Sequence, residues 1–453
     1  MIFLKVFLFY FLRNELSIFK NRLVNFIFFI KKQDSINKNK SFIDFLKSNT
    51  NFWEKQNNKR KFDKSILITN NLSHPAYTSS EIIIGKNLMT IHNADGIALI
   101  NQFDIKSKKI FKSYGINKIF YLNNLNFILR LKYFLKSFNT LINTKNIDDL
   151  LKIKINDIDY GKIIYDHCVR FSGIGTIDKV LDIFYSYLFK CFLIEHQVNY
   201  ILNQNDIVAT VQTERQFIPG AVLFQSALVN KKKVYSRIGA SNKFCVVKYD
   251  DLNDKFRSRY KFSKKLFEEI NIKIGEKARK EGEKIIIERF RGINEKQVFH
   301  EFFDGPDFRK QKIINTIDKV HFTKKELCDQ LGWNIEKPIN VIFSSDLTDG
   351  IFDQRWSIFR DRLTMLRETL KIAANISNVN WIVKPHPNDL LHKVITSTSS
   401  EFEKICENKN HVKLIPNNVS ISSLPKIVNL AVTINGSVAS EYPSFGVPTV
   451  VSA

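Results

Sequence analysis

Nowhere in the chain is there an uninterrupted run of the roughly 18–20 apolar residues that a bilayer-crossing helix needs, which excludes a multi-span membrane protein. Cysteine is scarce. The five present, Cys168, Cys191, Cys245, Cys328 and Cys406, lie far apart with no C-x-x-C pair. An odd, scattered set argues against a disulfide framework and a structural zinc site, and fits a reducing compartment. His167, His196, His300 and His321 lack metal-ligand spacing, so they read as structural and no metal site is expected. No repeat of fixed short period occurs, and no RRM, KH or helix-turn-helix signature.

What is present is the balance of a folded globular protein: 44% hydrophobic and 25% charged residues over 453 positions. That length suits two or three domains and excludes a disordered or collagen-like chain. The formal net charge is +24, unevenly spread. Residues 326–453 hold 12 Lys+Arg and 13 Asp+Glu, whereas residues 1–325 hold 57 and 32. A basic first part beside a neutral second part points to an anionic partner for the first: a membrane surface, a phosphate-linked substrate or nucleic acid.

The chain opens MIFLKVFLFYFLR, and a second apolar run follows at Leu23–Ile30. Both are too short to span, and Lys5 inside the first run does not fit a signal peptide. Residues 1–60 carry 12 Lys+Arg and 4 Asp+Glu. Two readings stand level: a helix lying in an anionic membrane surface, or an amphipathic helix packed on the protein's own core. Residues 31–60 read as a polar linker or loose helical segment.

From Lys64 the pattern is α/β. Short apolar runs predict buried parallel strands at Ser65–Thr69, Gly96–Ile100 and Lys118–Leu122. Lys179–Tyr200 predicts a long helix. Asp206–Glu214, Pro219–Val229 and Lys232–Gly239 read as a βαβ unit, and Asp254–Gly292 as charged helix. A second series begins near Phe322. It has strands at Asn340–Ser345, Asn380–Pro387, His411–Ile415, Asn429–Asn435 and Val447–Ser452, and a helix at Arg355–Asn375. The fold expected is α/β: two doubly wound Rossmann-like domains with a cleft between them and an N-terminal helical extension. The boundaries are 1–60 for the extension, 61–321 for the first domain with its helical linker, and 322–453 for the second. Because Ala453 directly follows a strand, the second domain is expected to be incomplete.

The candidate chemistry gathers after the strands of the second series. Lys384-Pro385-His386-Pro387 and Asn388 follow one strand, and two prolines stiffen the turn that aims Lys384 and His386 at a phosphate. Gly436-Ser437-Val438-Ala439-Ser440-Glu441 follows another and opens a helix. There Gly436 permits close backbone approach, Ser437 caps, and free N–H groups face an anion. Glu441, one turn in, is a candidate for ribose hydroxyls. A plain capped helix is the competing reading. Ser344-Ser345-Asp346-Leu347-Thr348-Asp349-Gly350 follows a third strand. On the first domain, Glu214 at a strand end is the candidate base, with Arg215 beside it; a solvated ion pair explains them equally well. Asp166 and Arg170 are further acceptor-side candidates, unless they form an ordinary i,i+4 pair. Asp349 is a third candidate base.

NWIVKPHP followed by TINGSVASEYPSFGVPTV resembles the capsule and surface polysaccharide biosynthesis proteins, GT-B-type glycosyltransferases of bacterial envelope gene clusters. IFSSDLTDG and DQRWSIFRDRL fit the same pattern, as do YGKIIYDHCVRFSGIGTID and GEKIIIERFRG. The resemblance covers about Tyr160 to Ala453. It implies a second domain holding a nucleotide-activated sugar, with Lys384 and His386 on its phosphates and Ser437 and Glu441 on phosphate and ribose. Ser345, Asp346, Gly350, Asn388, Gly436 and Ser440 complete the expected donor site. No cofactor is expected beyond that co-substrate. Related families with a His-Pro element use cytidine nucleotides, so a CMP- or CDP-linked donor fits. The expected activity is transfer to a glycan or lipid-linked glycan at the cytoplasmic face of the cell membrane, without nucleic acid. Alternatives are a CDP-glycerol-type polyol-phosphate transferase, a nucleotide-sugar 2-epimerase, a basic nucleic-acid-binding protein and a non-catalytic assembly protein.

Overall fold

The computed structural model describes residues 2–13, 15–16, 39–56, 62–70, 75–102, 104–122, 125–238, 245–260, 264–290, 320–352, 357–386, 389, 394–416, 418–434 and 436–452. The chain divides into two compact units, residues 1–167 with 178–259, and residues 168–177 with 260–453.

The first unit is built on β1 (Lys64–Asn70), β2 (Ala94–Asn101), β3 (Lys118–Leu122), β4 (Asp206–Val211), β5 (Lys233–Ile238) and β6 (Cys245–Tyr249). Their order is β3-β2-β1-β4-β5-β6. The first five are parallel, and β6 returns antiparallel to β5, pairing Val234 with Tyr249. Ile66, Leu67 and Ile68 of β1 are all buried, as a strand covered on both faces requires. Ile66, Ile68, Ala98, Ile100, Phe111 and Val211 share one core cluster. Each such side chain, fully buried, stabilises by about 1.5–3 kcal/mol before entropy is subtracted. β6 went unanticipated, because CVVKY is short and half exposed, without the continuous burial of β1.

Two helical parts of the N-terminal 60 residues are among the described residues. The polar segment read as a linker or loose helical segment contains a helix, Lys40–Gln56. Phe42, Phe45, Leu46 and Trp53 form its apolar stripe and pack on the first core cluster. Asn49 donates to Ser113 Oγ at 2.9 Å, and Trp53 lies against Tyr114 with ring centroids 5.6 Å apart. At the extreme N-terminus, helix Ile2–Val6 continues as a wider-wound turn, Phe7–Leu12. The Phe11 ring is fully buried and meets Phe127, Phe134 and Phe189 at 5.7, 4.9 and 5.9 Å. Glu15 pairs with the buried Arg130 at 2.6 Å. One face of the opening run is therefore spent on the protein's own helices, Phe127–Leu141 and Ile183–Gln204, while Leu4, Leu8 and Phe9 stay exposed. The second apolar run, Leu23–Ile30, lies outside the described residues.

The second unit holds β7 (Ile339–Phe343), β8 (Asn380–Lys384), β9 (Val412–Leu414), β10 (Leu430–Thr433) and β11 (Thr449–Val451). All are parallel, in the order β11-β10-β7-β8-β9. Numbered from its own first strand this is 3-2-1-4-5, the order shared by the first five strands of the other unit. The helices around the sheet start where their side chains supply caps. Thr323 and Glu326 form a reciprocal capping box at Lys324–Leu331, which ends at the left-handed Gly332. Asp361 accepts from Thr364 N at 2.7 Å to open Arg362–Asn375. That helix starts later than the predicted Arg355, because the cap sits at Asp361.

Candidate functional site

In a sheet of order 3-2-1-4-5, ligands bind outside the carboxyl ends of the strands where the order reverses. In the second unit the reversal falls between β7 and β10, with β8 on the other side of β7. Because the three strands are parallel, the loops at 344–350, 385–386 and 436–441 leave one edge of the sheet.

Ser344 ties two of these loops together. Its N–H donates to Lys384 O at 3.1 Å, and its hydroxyl accepts from His386 N at 2.8 Å and lies 3.0 Å from Thr398 Oγ1. Thr398 in turn donates through Oγ1 and N to Asp389 Oδ2, at 2.6 and 3.2 Å. Burial raises the Asp389 carboxyl above its ordinary range, those two donors oppose the rise, and the nearby Asp346 charge adds to it.

Asp346 organises the rest of the first loop. Its Oδ1 accepts from Thr348 N and Oγ1 at 3.1 and 2.8 Å. Its Oδ2 accepts from Arg170 Nη1 at 2.9 Å, and the same Nη1 lies 3.3 Å from Thr348 Oγ1. Arg170 was expected on the acceptor side. It lies instead in the short stretch 168–177 that belongs to the second unit, where Thr176 also accepts from Arg360 at 3.1 Å. Asp349 Oδ2 is paired with Arg362 Nη2 at 3.0 Å. Ser345 and Gly350 are buried in the same loop.

Two donor-site expectations change in detail. Lys384 does not project from the turn: it is 4% exposed and its ammonium donates to Pro416 O at 3.0 Å, because the residue closes a strand buried on both faces. His386, by contrast, is half-buried on the loop. Ser437 occupies the N-cap position of the last helix but makes no side-chain cap bond. That helix, Val438–Glu441, is a single turn followed by Pro443, so it has few aligned peptides and a small dipole. Gly436, Ser437 and Ser440 are exposed. A Cβ on Gly436 would meet, among the described residues, only Thr433 Oγ1 at 3.9 Å, so the protein's own packing does not demand a glycine there. Glu441 is buried beneath the turn, and its charge, after burial itself, raises the neighbouring Tyr442 phenol. Asn388 lies outside the described residues.

The first unit has its own reversal, between β1 and β4, and a different set of groups stands there. Glu81, 3% exposed on helix Pro75–His92, accepts from Thr213 N at 2.9 Å. Burial pushes its carboxyl up to about 8. Arg237 lies over the Tyr77 ring at 4.4 Å. His167 accepts at Nδ1 from Ile218 N at 3.2 Å, and burial, with Lys190 adding, lowers it to about 3. β4 ends at Val211, so Glu214 sits in the loop beyond rather than at the strand end. Its Oε1 accepts from Gln216 N at 2.6 Å, which commits it to the local turn. Arg215 donates to Tyr249 Oη at 2.7 Å and lies over the Tyr249 and Phe224 rings. Asp166 is buried on helix Tyr160–Ser172.

Sequence reasoning passed over Glu81, Arg362, Asp389 and Thr398, and took in Ser344 and Thr348 only as loop members. One signal for Glu81 was legible: a lone acid leading the apolar stretch EIII of a helix. Among the described residues no cluster of three His, Cys, Asp or Glu is placed to hold a metal ion, and no helix is long and apolar enough to cross a membrane.

No protein-family model matches the chain, and a search of curated proteins returns no match. Among solved structures the chain is similar to a UDP-GlcNAc 2-epimerase from Neisseria meningitidis bound to UDP-GlcNAc, at 10% identity and TM-score 0.23 over 86% of this chain and 82% of that one. It is similar to MurG from Acinetobacter baumannii, at 10% identity and TM-score 0.21 over 86% and 78%. It is also similar to a glycosyltransferase from Rickettsia africae, at 12% identity and TM-score 0.24 over 86% and 80%. TM-scores this low leave the functional reading to the geometry of the chain itself.

Proposed function

We propose that the chain is a nucleotide-sugar-dependent glycosyltransferase of bacterial capsule or surface-polysaccharide synthesis, with the activated donor held by the second unit. The observation that carries the reading is the convergence of three polar loops on one edge of a 3-2-1-4-5 sheet, beside its reversal point. In this reading His386 and the exposed backbone at Gly436–Ser437 take the diphosphate, and Ser440 lies toward the sugar or ribose. Asp346 holds Arg170 and Thr348 in place around them. Lys384 and Glu441 support the loops from below. The donor is CMP- or CDP-linked. The acceptor, a glycan or lipid-linked glycan, meets the first unit near Glu214, Arg215 and Asp166, with Asp349 a third candidate base. The enzyme works at the inner face of the cell membrane, which its basic first part contacts peripherally.

Thermal unfolding with CMP, CDP, UDP and GDP tests the donor site. A nucleotide at a hundred times its Kd stabilises by about 2.7 kcal/mol. The cytidine nucleotides should raise Tm most; no shift with any of the four would sink the reading. Release of free nucleotide on adding acceptor glycan then identifies transfer, whereas a sugar isomerised on its retained nucleotide identifies an epimerase.

A further inference from the structure

The helix Phe127–Leu141 has two apolar faces, and among the described residues only one is packed. Inward, Phe134 and Leu141 are buried beside Arg130 and Ser137. Outward, Ile128, Leu131, Lys132, Leu135, Lys136, Asn139 and Thr140 line a shallow groove of about 660 Å³. Ile128 is 77% exposed and Leu135 39%, and Ile142 continues the stripe at i+7 from Leu135. That spacing keeps the apolar groups on one side of the helix. Beside it, Leu4, Leu8 and Phe9 of the N-terminal helix are exposed as well, while Phe3 packs on Phe138 with centroids 4.9 Å apart. A stripe of this kind facing water calls for a covering partner.

Charge says which partner. Residues 125–145 contain Arg130, Lys132, Lys136 and Lys145 and no Asp or Glu. Arg130 is consumed by Glu15, and Lys136 lies over the Phe192 ring at 4.2 Å. Lys132 stays exposed beside the apolar stripe, and Lys145 is exposed past the end of the helix, where its N–H donates to Asp149 Oδ2 at 3.3 Å. A second copy docked on the same face would bring like charges together, whereas an anionic lipid surface matches both the apolar groups and their lysine flanks.

We propose that the outward face of helix Phe127–Leu141, carrying Ile128, Lys132, Leu135 and the following Ile142 and Lys145, is the surface by which the protein docks on anionic membrane. This deepens the membrane part of the proposed function, on which it rests, and moves the principal contact from the N-terminal segment to an internal helix.

The test is co-sedimentation of the full chain with phosphatidylcholine vesicles, with and without phosphatidylglycerol. Ile128→Asn with Leu135→Asn should lower partitioning roughly tenfold or more on both. Lys132→Gln with Lys145→Gln should lower it about fivefold per charge, and only on vesicles containing phosphatidylglycerol. These side chains are exposed, so Tm should stay unchanged, which separates lost docking from lost folding. If the helix variants pellet like the natural chain while Leu4→Asn with Phe9→Asn abolishes binding, the N-terminal segment is the anchor and this inference fails, with the membrane reading intact. If the natural chain binds neither vesicle, both fail. A dimer in gel filtration that the helix variants turn to monomer, with no vesicle binding, would assign the face to a second copy and overturn the inference.

Discussion

At the reversal point of the first sheet, between β1 and β4, the polar groups are turned on one another. Asn70 donates to Thr78 and to Ser107 Oγ at 2.7 Å, Glu81 takes the Thr213 N–H, and Gln212 donates to the carbonyls of Glu214 and Gly220 at 2.8 and 3.1 Å. At the corresponding place in the second sheet, between β7 and β10, hydroxyls, carboxylates and guanidinium groups are gathered into loops. In one of them Gly436, Ser437 and Ser440 stay exposed. The strand order is shared; the use of the carboxyl edge is not. The contrast teaches that this topology supplies a place for a ligand, and that side chains decide whether the place is kept open or filled from within.

The glycines break or sharpen that contrast most directly. In the first unit a Cβ on Gly161 would lie 1.8 Å from Leu150 O, so a backbone segment has to move. Gly161→Ala should cost more than about 4 kcal/mol, read as a collapse of the urea midpoint. A change below 1 kcal/mol, on the order of a surface substitution, would show that the first unit is far more loosely packed than its geometry says.

A smaller effect is expected from Glu81→Gln. The Glu81 carboxyl is raised by burial from 4.5 to about 8, so the folded state binds that proton more tightly than the unfolded chain does. Its contribution is fully present below pH 4.5, falls as pH rises, and is gone above pH 8. Gln should flatten this part of the stability–pH curve. A curve that keeps its slope in the variant would place the titrating group elsewhere.

The smallest change in stability, and the most informative about function, belongs to Gly436→Ala. With Thr433 Oγ1 alone near the added methyl among the described residues, stability should stay within about 0.5 kcal/mol. The nucleotide-induced rise in Tm should nevertheless disappear, because the methyl would stand where the diphosphate meets the backbone. Full nucleotide stabilisation in this variant would remove Gly436 from the site.

Several strands were legible because they are buried on both faces: SILIT, GIALI and NWIVK are apolar runs whose length alone excludes a helix, and KIFYL, half-buried, shares the pattern. Their ends were less so. Asp206–Glu214 was read three residues too long, since nothing in QTE marks where pairing with β5 stops. The residues of the candidate site were legible as loops after strands. Their partners were not, because Arg170 meets Asp346 across 176 positions and Thr398 meets Ser344 across 54, separations on which periodicity is silent.

By itself the sequence determined the α/β class, the two strand series and the basic-to-neutral division of charge, because each of these is written in neighbouring residues: burial period and composition. Only the tertiary structure decided the strand order and thus where the sheet edges open. It also decided the passage of residues 168–177 into the second unit, the enclosure of Lys384 and Glu81, and the division of the N-terminal helix between a packed and an exposed face. Those depend on which surfaces meet at long range, and the free energy of such meetings is set by shape and charge that no local pattern contains.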